Sequence, residues 1–195
     1  AVVAVTFIQG KEPAHSVGFF VCLDAGTRSR RLSRDYRWGK RDMTALNGVP
    51  NHISFTPNGN RRKAALEGMT LEDSYIAGAM RALDAAEWAR AAGVRHATFF
   101  GLSCENLEKR PQEQLDALME GAIRFCDAAV ESGIQIHPFG KVDEFADDPK
   151  YEPLYTRLHK LRQMPRDPDA FTIHVATNYS GQIKHELGAF MDTLY

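Results

Sequence analysis

Two short stretches carry residue types that could hold an anion. The first is Asn58-Gly59-Asn60-Arg61-Arg62-Lys63. Gly59 lets the backbone approach a ligand closely. Consecutive amides in a tight turn make an anion-binding concavity. Arg61, Arg62 and Lys63 add positive charge, and together these features suit a diphosphate. An exposed turn with its basic residues in water explains the same six residues equally well. The second is Ser103-Cys104-Glu105-Asn106, followed by Lys109-Arg110-Pro111. Arg110 precedes a helix N-terminus, where anions are favoured, and Ser103 and Asn106 offer neutral hydrogen bonds. A capped turn uses Ser and Asn for local reasons too. A different chemistry is half-written in Gly101-Leu102-Ser103-Cys104-Glu105, which matches the nucleophile elbow G-x-S-x-G except at its last glycine. With Asp169 and His174 downstream, a Ser hydrolase is a remote alternative. His96, His137 and His174 stand in apolar, strand-like runs and read as core residues.

The elements that must position these stretches alternate. Strands are expected over 53–56, 96–102, 134–139 and 171–177. Helices are expected over 70–92, 111–133, 151–163 and 182–194. Thr70 and Asp73 form a capping-box start, and Gly93 and Gly133 fit helix stops. Strands alternating with long helices predict an α/β fold, a mostly parallel sheet with helices on both faces. Ligands then bind beyond the carboxyl ends of the strands. That rule selects the loops 57–63, 103–111 and 178–182.

Residues 1–50 read apart from the domain over 51–195. Apolar runs at 2–7 and 17–23 are of strand type. The stretch 28–41 holds six arginines and Lys40, interleaved with Tyr36 and Trp38. A solvated basic segment is the plain reading and a phosphate-binding arm the sharper one.

Composition narrows the classes. The chain has 195 residues, 24 Lys+Arg against 25 Asp+Glu, and a formal net charge of -1, so no global field draws nucleic acid. Charged residues interrupt every apolar run before bilayer length. Three cysteines without a C-x-x-C pair argue against a disulfide framework or zinc site. That cysteine usage leads to the expectation of a reducing, cytoplasmic compartment, and the start lacks the basic lead-in of a secretory signal.

In order, the motifs resemble the cis-prenyltransferase family, typified by undecaprenyl diphosphate synthases. That family opens with H-[IV]-A-[FI]-I-M-D-G-N-G-R-W after its first strand. Here stands His52-Ile53-Ser54-Phe55-Thr56-Pro57-Asn58-Gly59-Asn60-Arg61-Arg62-Lys63. It continues with F-S-x-E-N-W-x-R-P. Here Leu102-Ser103-Cys104-Glu105-Asn106-Leu107-Glu108-Lys109-Arg110-Pro111 carries one inserted residue. Leu115-Asp116-Ala117-Leu118-Met119 follows the spacing of E-V-x-x-L-M, and Asn178-Tyr179-Ser180-Gly181 is similar to N-Y-G-G. The resemblance covers residues 52–190. Arg61-Arg62 and Leu71-Glu72-Asp73-Ser74-Tyr75 look most like the short-chain irregular members, such as lavandulyl and cyclolavandulyl diphosphate synthases, which join two five-carbon units head to middle.

The resemblance implies the cis-prenyltransferase fold. It also implies transfer of an isoprenyl group from a dimethylallyl-type allylic diphosphate to a second isoprenoid diphosphate, regular cis or irregular. Gly59, Asn60, Arg61 and Arg62 would grip the donor diphosphate. Ser103, Asn106 and Arg110 would line the reaction centre and the second diphosphate. Asn58, Arg62, Ser103 and Asn106 form the implied catalytic set, and Tyr75 joins the substrate contacts. The apolar helix stretch Ser74–Ala92 would form one wall of a tunnel for the isoprenyl chain. Mg²⁺ and a homodimer are implied, with a heteromer as the alternative. Several positions depart from the pattern. Asn58 replaces the metal-binding aspartate, and an amide oxygen brings no charge, so Mg²⁺ should bind more weakly. Lys63 replaces a tryptophan, Tyr75 a histidine and Leu71 an arginine. The family's last motif, R-x-[SG]-G-x-x-R-L-S followed by an acidic metal ligand, is not found before Tyr195. Residues 26–33, ending Arg31-Leu32-Ser33, echo it weakly. These departures make a catalytically silent subunit or binding module the second reading.

Overall fold

Alternation of side chains builds the sheet. The computed structural model describes residues 2–8, 16–22 and 49–180. The strands are β1 (Val2–Ile8), β2 (Ser16–Cys22), β3 (His52–Asn58), β4 (His96–Ser103), β5 (Gln135–Phe139) and β6 (Thr172–Tyr179), arranged β2-β1-β3-β4-β6-β5. The last four in this order run parallel, as expected, and β1 joins β3 and β2 antiparallel. The sheet therefore continues from β2 through β1 into β3. The basic stretch 28–41 and the helix expected over 182–194 lie outside the described residues.

Each strand turns alternate residues to opposite faces. Register aligns Ile53 with Ala97 and Ile173, and Phe55 with Phe99. These join one apolar core. The described helices are α1 (Asn60–Glu67), α2 (Leu71–Ala91), α3 (Cys104–Lys109), α4 (Gln112–Glu131) and α5 (Glu152–Arg162). Helices α2 and α4 pack side by side against that face. Phe99 stacks on Phe55 at 4.6 Å and meets Phe125 of α4 at 5.0 Å. Helix α5 packs at the β5 edge beside α4, buries Leu154, Leu158 and Leu161, and pairs Arg157 with Asp127 at 2.7 Å. No described helix is long and apolar enough to cross a membrane.

The opposite face is polar. His52 and Ser54 of β3, His96 and Thr98 of β4, and Thr172 and His174 of β6 are all buried. His52 Nε2 lies 2.8 Å from Thr98 Oγ1, and His174 contacts His96 at 3.3 Å and His137 at 3.4 Å. The histidines in apolar runs are thus internal residues that touch one another across strands.

Two short helices replace expected turns. Asn60 begins α1 where a tight turn over 57–60 was expected, and α3 occupies the segment after Ser103. In both cases the turn-forming residues cap a helix. The capping box at α2 is present: Thr70 Oγ1 accepts the Asp73 amide at 3.0 Å and donates to the Asp73 carboxylate at 2.8 Å.

Candidate functional site

The first anion-binding stretch is a helix start. Gly59 is the N-cap of α1 with φ 100°, a left-handed conformation in which a side chain would be strained. Helix bonding begins with the Lys63 amide donating to the Gly59 carbonyl at 2.9 Å, and no side chain caps the turn. The amides of Asn60, Arg61 and Arg62 therefore have no helical acceptor, and the positive end of the helix dipole adds to them. No acidic residue stands in that first turn. Lys63 ion-pairs with Glu67 one turn along and is not part of the cavity wall described below.

Helix α2 fixes α1 in place. Ser74, fully buried, donates its hydroxyl to the Asn60 carbonyl at 2.8 Å. A Cβ on Gly78 would come within 2.4 Å of the Asn60 side-chain oxygen, so only glycine admits that side chain here. Gly78→Ala must push the Asn60 amide away while leaving the backbone free. Alanine favours the helix, so thermal stability should hold, while affinity for inorganic pyrophosphate should fall about tenfold. Calorimetry beside a thermal melt checks this; unchanged affinity would show that Asn60 needs no fixed side-chain position.

The second stretch builds the facing wall. Ser103 caps α3, its hydroxyl accepting the Asn106 amide at 3.2 Å. Arg110 follows the helix; its Nε donates to Asn106 Oδ1 at 2.7 Å and its Nη1 to the Tyr75 phenolic oxygen at 2.6 Å. Tyr75 lies on α2, 8% exposed, where Gly121 of α4 packs against its backbone. Asn178, expected to open a loop, instead lies within strand β6, next to its last residue, and locks the strand ends together. Asn178, left-handed at φ 52°, donates to the Lys141 carbonyl and Glu144 and accepts from the Cys104 thiol at 3.1 Å.

These walls enclose one cavity of about 550 Å³ beyond the carboxyl ends of β3 and β4. Its polar end carries Asn58, Gly59, Asn60, Arg61, Arg62 and Arg110. Arg61 and Arg62 are exposed at the mouth. Tyr75 and Asn106 line it as well, and its apolar end holds Ala82, Phe99, Leu118, Phe125 and Val175. The cavity thus unites every residue of the implied catalytic and substrate-contact set except Ser103, which is not part of the wall and acts in it only as the cap that orders Asn106. Tyr179, Phe99, Gly78 and Phe125 also line it and were not singled out from the sequence. The Asn178-Tyr179-Ser180-Gly181 segment was the available signal for Tyr179. Burial raises the Tyr179 pKa, against the nearby Arg110 charge, so it stays a neutral phenol at ordinary pH.

Two other expectations can be tested against these walls. Among the described residues the cavity has three arginines and no carboxylate, and Asn58 supplies a neutral amide. These residues by themselves do not fit Mg²⁺, which prefers carboxylate oxygens, and no step below is routed through it. The hydrolase reading has no triad. Ser103 accepts from a backbone amide, His174 contacts His96 and His137, and Asp169 is exposed beside Arg95 at 3.4 Å.

Comparisons with known proteins agree with this arrangement. A solved lavandulyl diphosphate synthase from Lavandula x intermedia shares the fold, with a TM-score of 0.55 at 20% identity, covering 75% of this chain and 65% of that one. A ditrans,polycis-undecaprenyl-diphosphate synthase from Pasteurella multocida is 26% identical over 139 residues, 69% of this chain and 55% of the relative. A tritrans,polycis-undecaprenyl-diphosphate synthase from Haloarcula marismortui is 30% identical over 152 residues, 75% of this chain and 48% of the relative. The chain spans about half the length of these curated relatives. The model of the family described as putative undecaprenyl diphosphate synthase matches residues 56–191, which includes α1 and every described wall of the cavity, and the chain belongs to that cis-prenyltransferase family.

Proposed function

We propose that the protein transfers an isoprenyl group from a short allylic diphosphate, of dimethylallyl type, to a second isoprenoid diphosphate. The observation that carries this reading is the division of one cavity into an arginine-and-amide end and an apolar, aromatic end. A diphosphate leaving group gathers negative charge as its C–O bond weakens. The α1 amides, Arg61, Arg62 and Arg110 border the cavity as donors for that charge, which donors held in place stabilise. The allylic carbon left behind is electron-poor, and the aromatic ring of Phe100 in the cavity wall attracts cationic character. The double bond of the second isoprenoid supplies the electrons for the new C–C bond as the C–O bond to diphosphate breaks, and the proton then lost passes to the released diphosphate. Asn106 orients the acceptor, held by Ser103 at its amide and by Arg110 at its oxygen. Phe99, stacked on Phe55 and tilted against Phe125, closes the apolar end and favours a short chain.

The neutral Asn58 and the absence of a carboxylate among the described cavity residues favour a second reading, a catalytically silent subunit that binds prenyl diphosphates. Incubation with labelled dimethylallyl and isopentenyl diphosphates, alone and mixed, with and without Mg²⁺, separates the two. A ten-carbon diphosphate product is expected. Bound pyrophosphate without product under every condition would replace the transferase with the silent subunit.

A further inference from the structure

Tyr75, Arg110 and Asn106 come from different elements, yet their hydrogen bonds allow only one assignment of protons. A guanidinium donates and never accepts. The Tyr75 oxygen must therefore accept from Arg110 Nη1, at 2.6 Å, and Asn106 Oδ1 must accept from Arg110 Nε, at 2.7 Å. The phenolic proton of Tyr75 is left over, as are both amide protons of Asn106. Neither group has another hydrogen-bond partner among the described residues, and both border the cavity. Arg110 spends two of its five N–H groups on this arrangement and keeps the others.

From this geometry we infer that Tyr75 is a positioning residue for Arg110, its phenolic oxygen fixing the guanidinium that an anion in the cleft would meet. Tyr75 anchors the guanidinium to α2, and Asn106 anchors it to α3. In return, Arg110 aims the Tyr75 hydroxyl and the Asn106 amide into the cleft. An anion seated there meets N–H and O–H groups on this side and the α1 amides on the other. The absence of a carboxylate among the described cavity residues leaves nothing to repel it. Tyr75 suits the task because its ring is buried and its backbone is packed by Gly121, so the hydroxyl is a fixed point. The inference deepens the proposed function and rests on its assignment of the polar end to a diphosphate.

The test uses the full chain and inorganic pyrophosphate, titrated calorimetrically into the parent protein, Tyr75→Phe and Tyr75→His. The phenyl ring keeps the packing and loses the acceptor for Arg110. Pyrophosphate affinity should then fall about 10- to 100-fold, the loss of a charge-assisted hydrogen bond and of the aim it sets. An imidazole can accept from Arg110 and donate onward, so Tyr75→His should recover most of that loss. A purely structural role would not produce this recovery. Farnesol, an uncharged probe of the apolar end, should bind the parent and Tyr75→Phe alike. Undiminished pyrophosphate binding in Tyr75→Phe would overturn the positioning role and leave the proposed function standing, as would equal losses for pyrophosphate and farnesol. A parent protein that binds no pyrophosphate would overturn both.

Discussion

Arg110→Met should lower kcat/KM for prenyl transfer by about 10²- to 10³-fold, the cost of removing a preorganised charged donor from a partly buried site. The residue touches three parts of the site at once: it faces the cavity, holds Tyr75 of α2 and holds Asn106 of α3. Methionine keeps much of the aliphatic stem and removes the charge. Arg110→Lys should recover only part of the loss, because an ammonium restores charge without the fork that reaches Tyr75 and Asn106 together. Steady-state kinetics with a thermal melt for each variant decide the matter. Full activity in the methionine variant would take Arg110 out of the site.

The second large effect concerns stability against pH. His52 and His174 are 0% and 1% exposed. Burial lowers the pKa of His52 from 6.5 to about 4, with the neighbouring His96 adding to the effect. Burial first, then His52, His137 and His96, and finally Arg166, lower that of His174. His137 falls to about 4 through burial and the charges of Arg166 and Arg162, and His96 is lowered by burial and Arg95. The folded state therefore leaves these rings neutral at a pH where the unfolded chain protonates them. Well above pH 6.5 neither state binds these protons and stability is unaffected. Below 6.5 the unfolded state gains protons first, so stability falls toward the folded pKa values. Each fully buried ring contributes about 1.4 kcal/mol per pH unit in that window. His52 and His174 together imply a loss of about 3 kcal/mol between pH 6.5 and 5. Urea unfolding at half-unit steps from pH 8 to 5 measures the slope. A flat midpoint across that range would mean the rings are not held neutral inside the fold.

Local pattern in the sequence carries much of the fold. The 3.6-residue stripes of α2, α4 and α5, the alternation of β3 to β6, the Thr70–Asp73 cap and the glycine stops all depend on neighbours within a few residues. Each is visible without knowing what the element packs against. The two anion-binding stretches were legible for the same reason: a glycine followed by arginines after a strand, and a capping serine before Asn106. Helices α1 and α3 were not legible, because eight and six residues are too few for a periodic signal, and their start residues also favour turns.

What the tertiary structure alone decided is which distant residues meet. Tyr75 and Arg110 are 35 positions apart, and only the packing of α2 on α4 and the exit of α3 from β4 bring them within 2.6 Å. Histidines in separate strands became one buried layer through register, since a shift by a single residue would have sent each ring to the apolar face. Periodicity specifies the elements because it records each residue's environment along its own helix or strand. The site depends on register and helix crossing, which arise from contacts between elements that no local window contains.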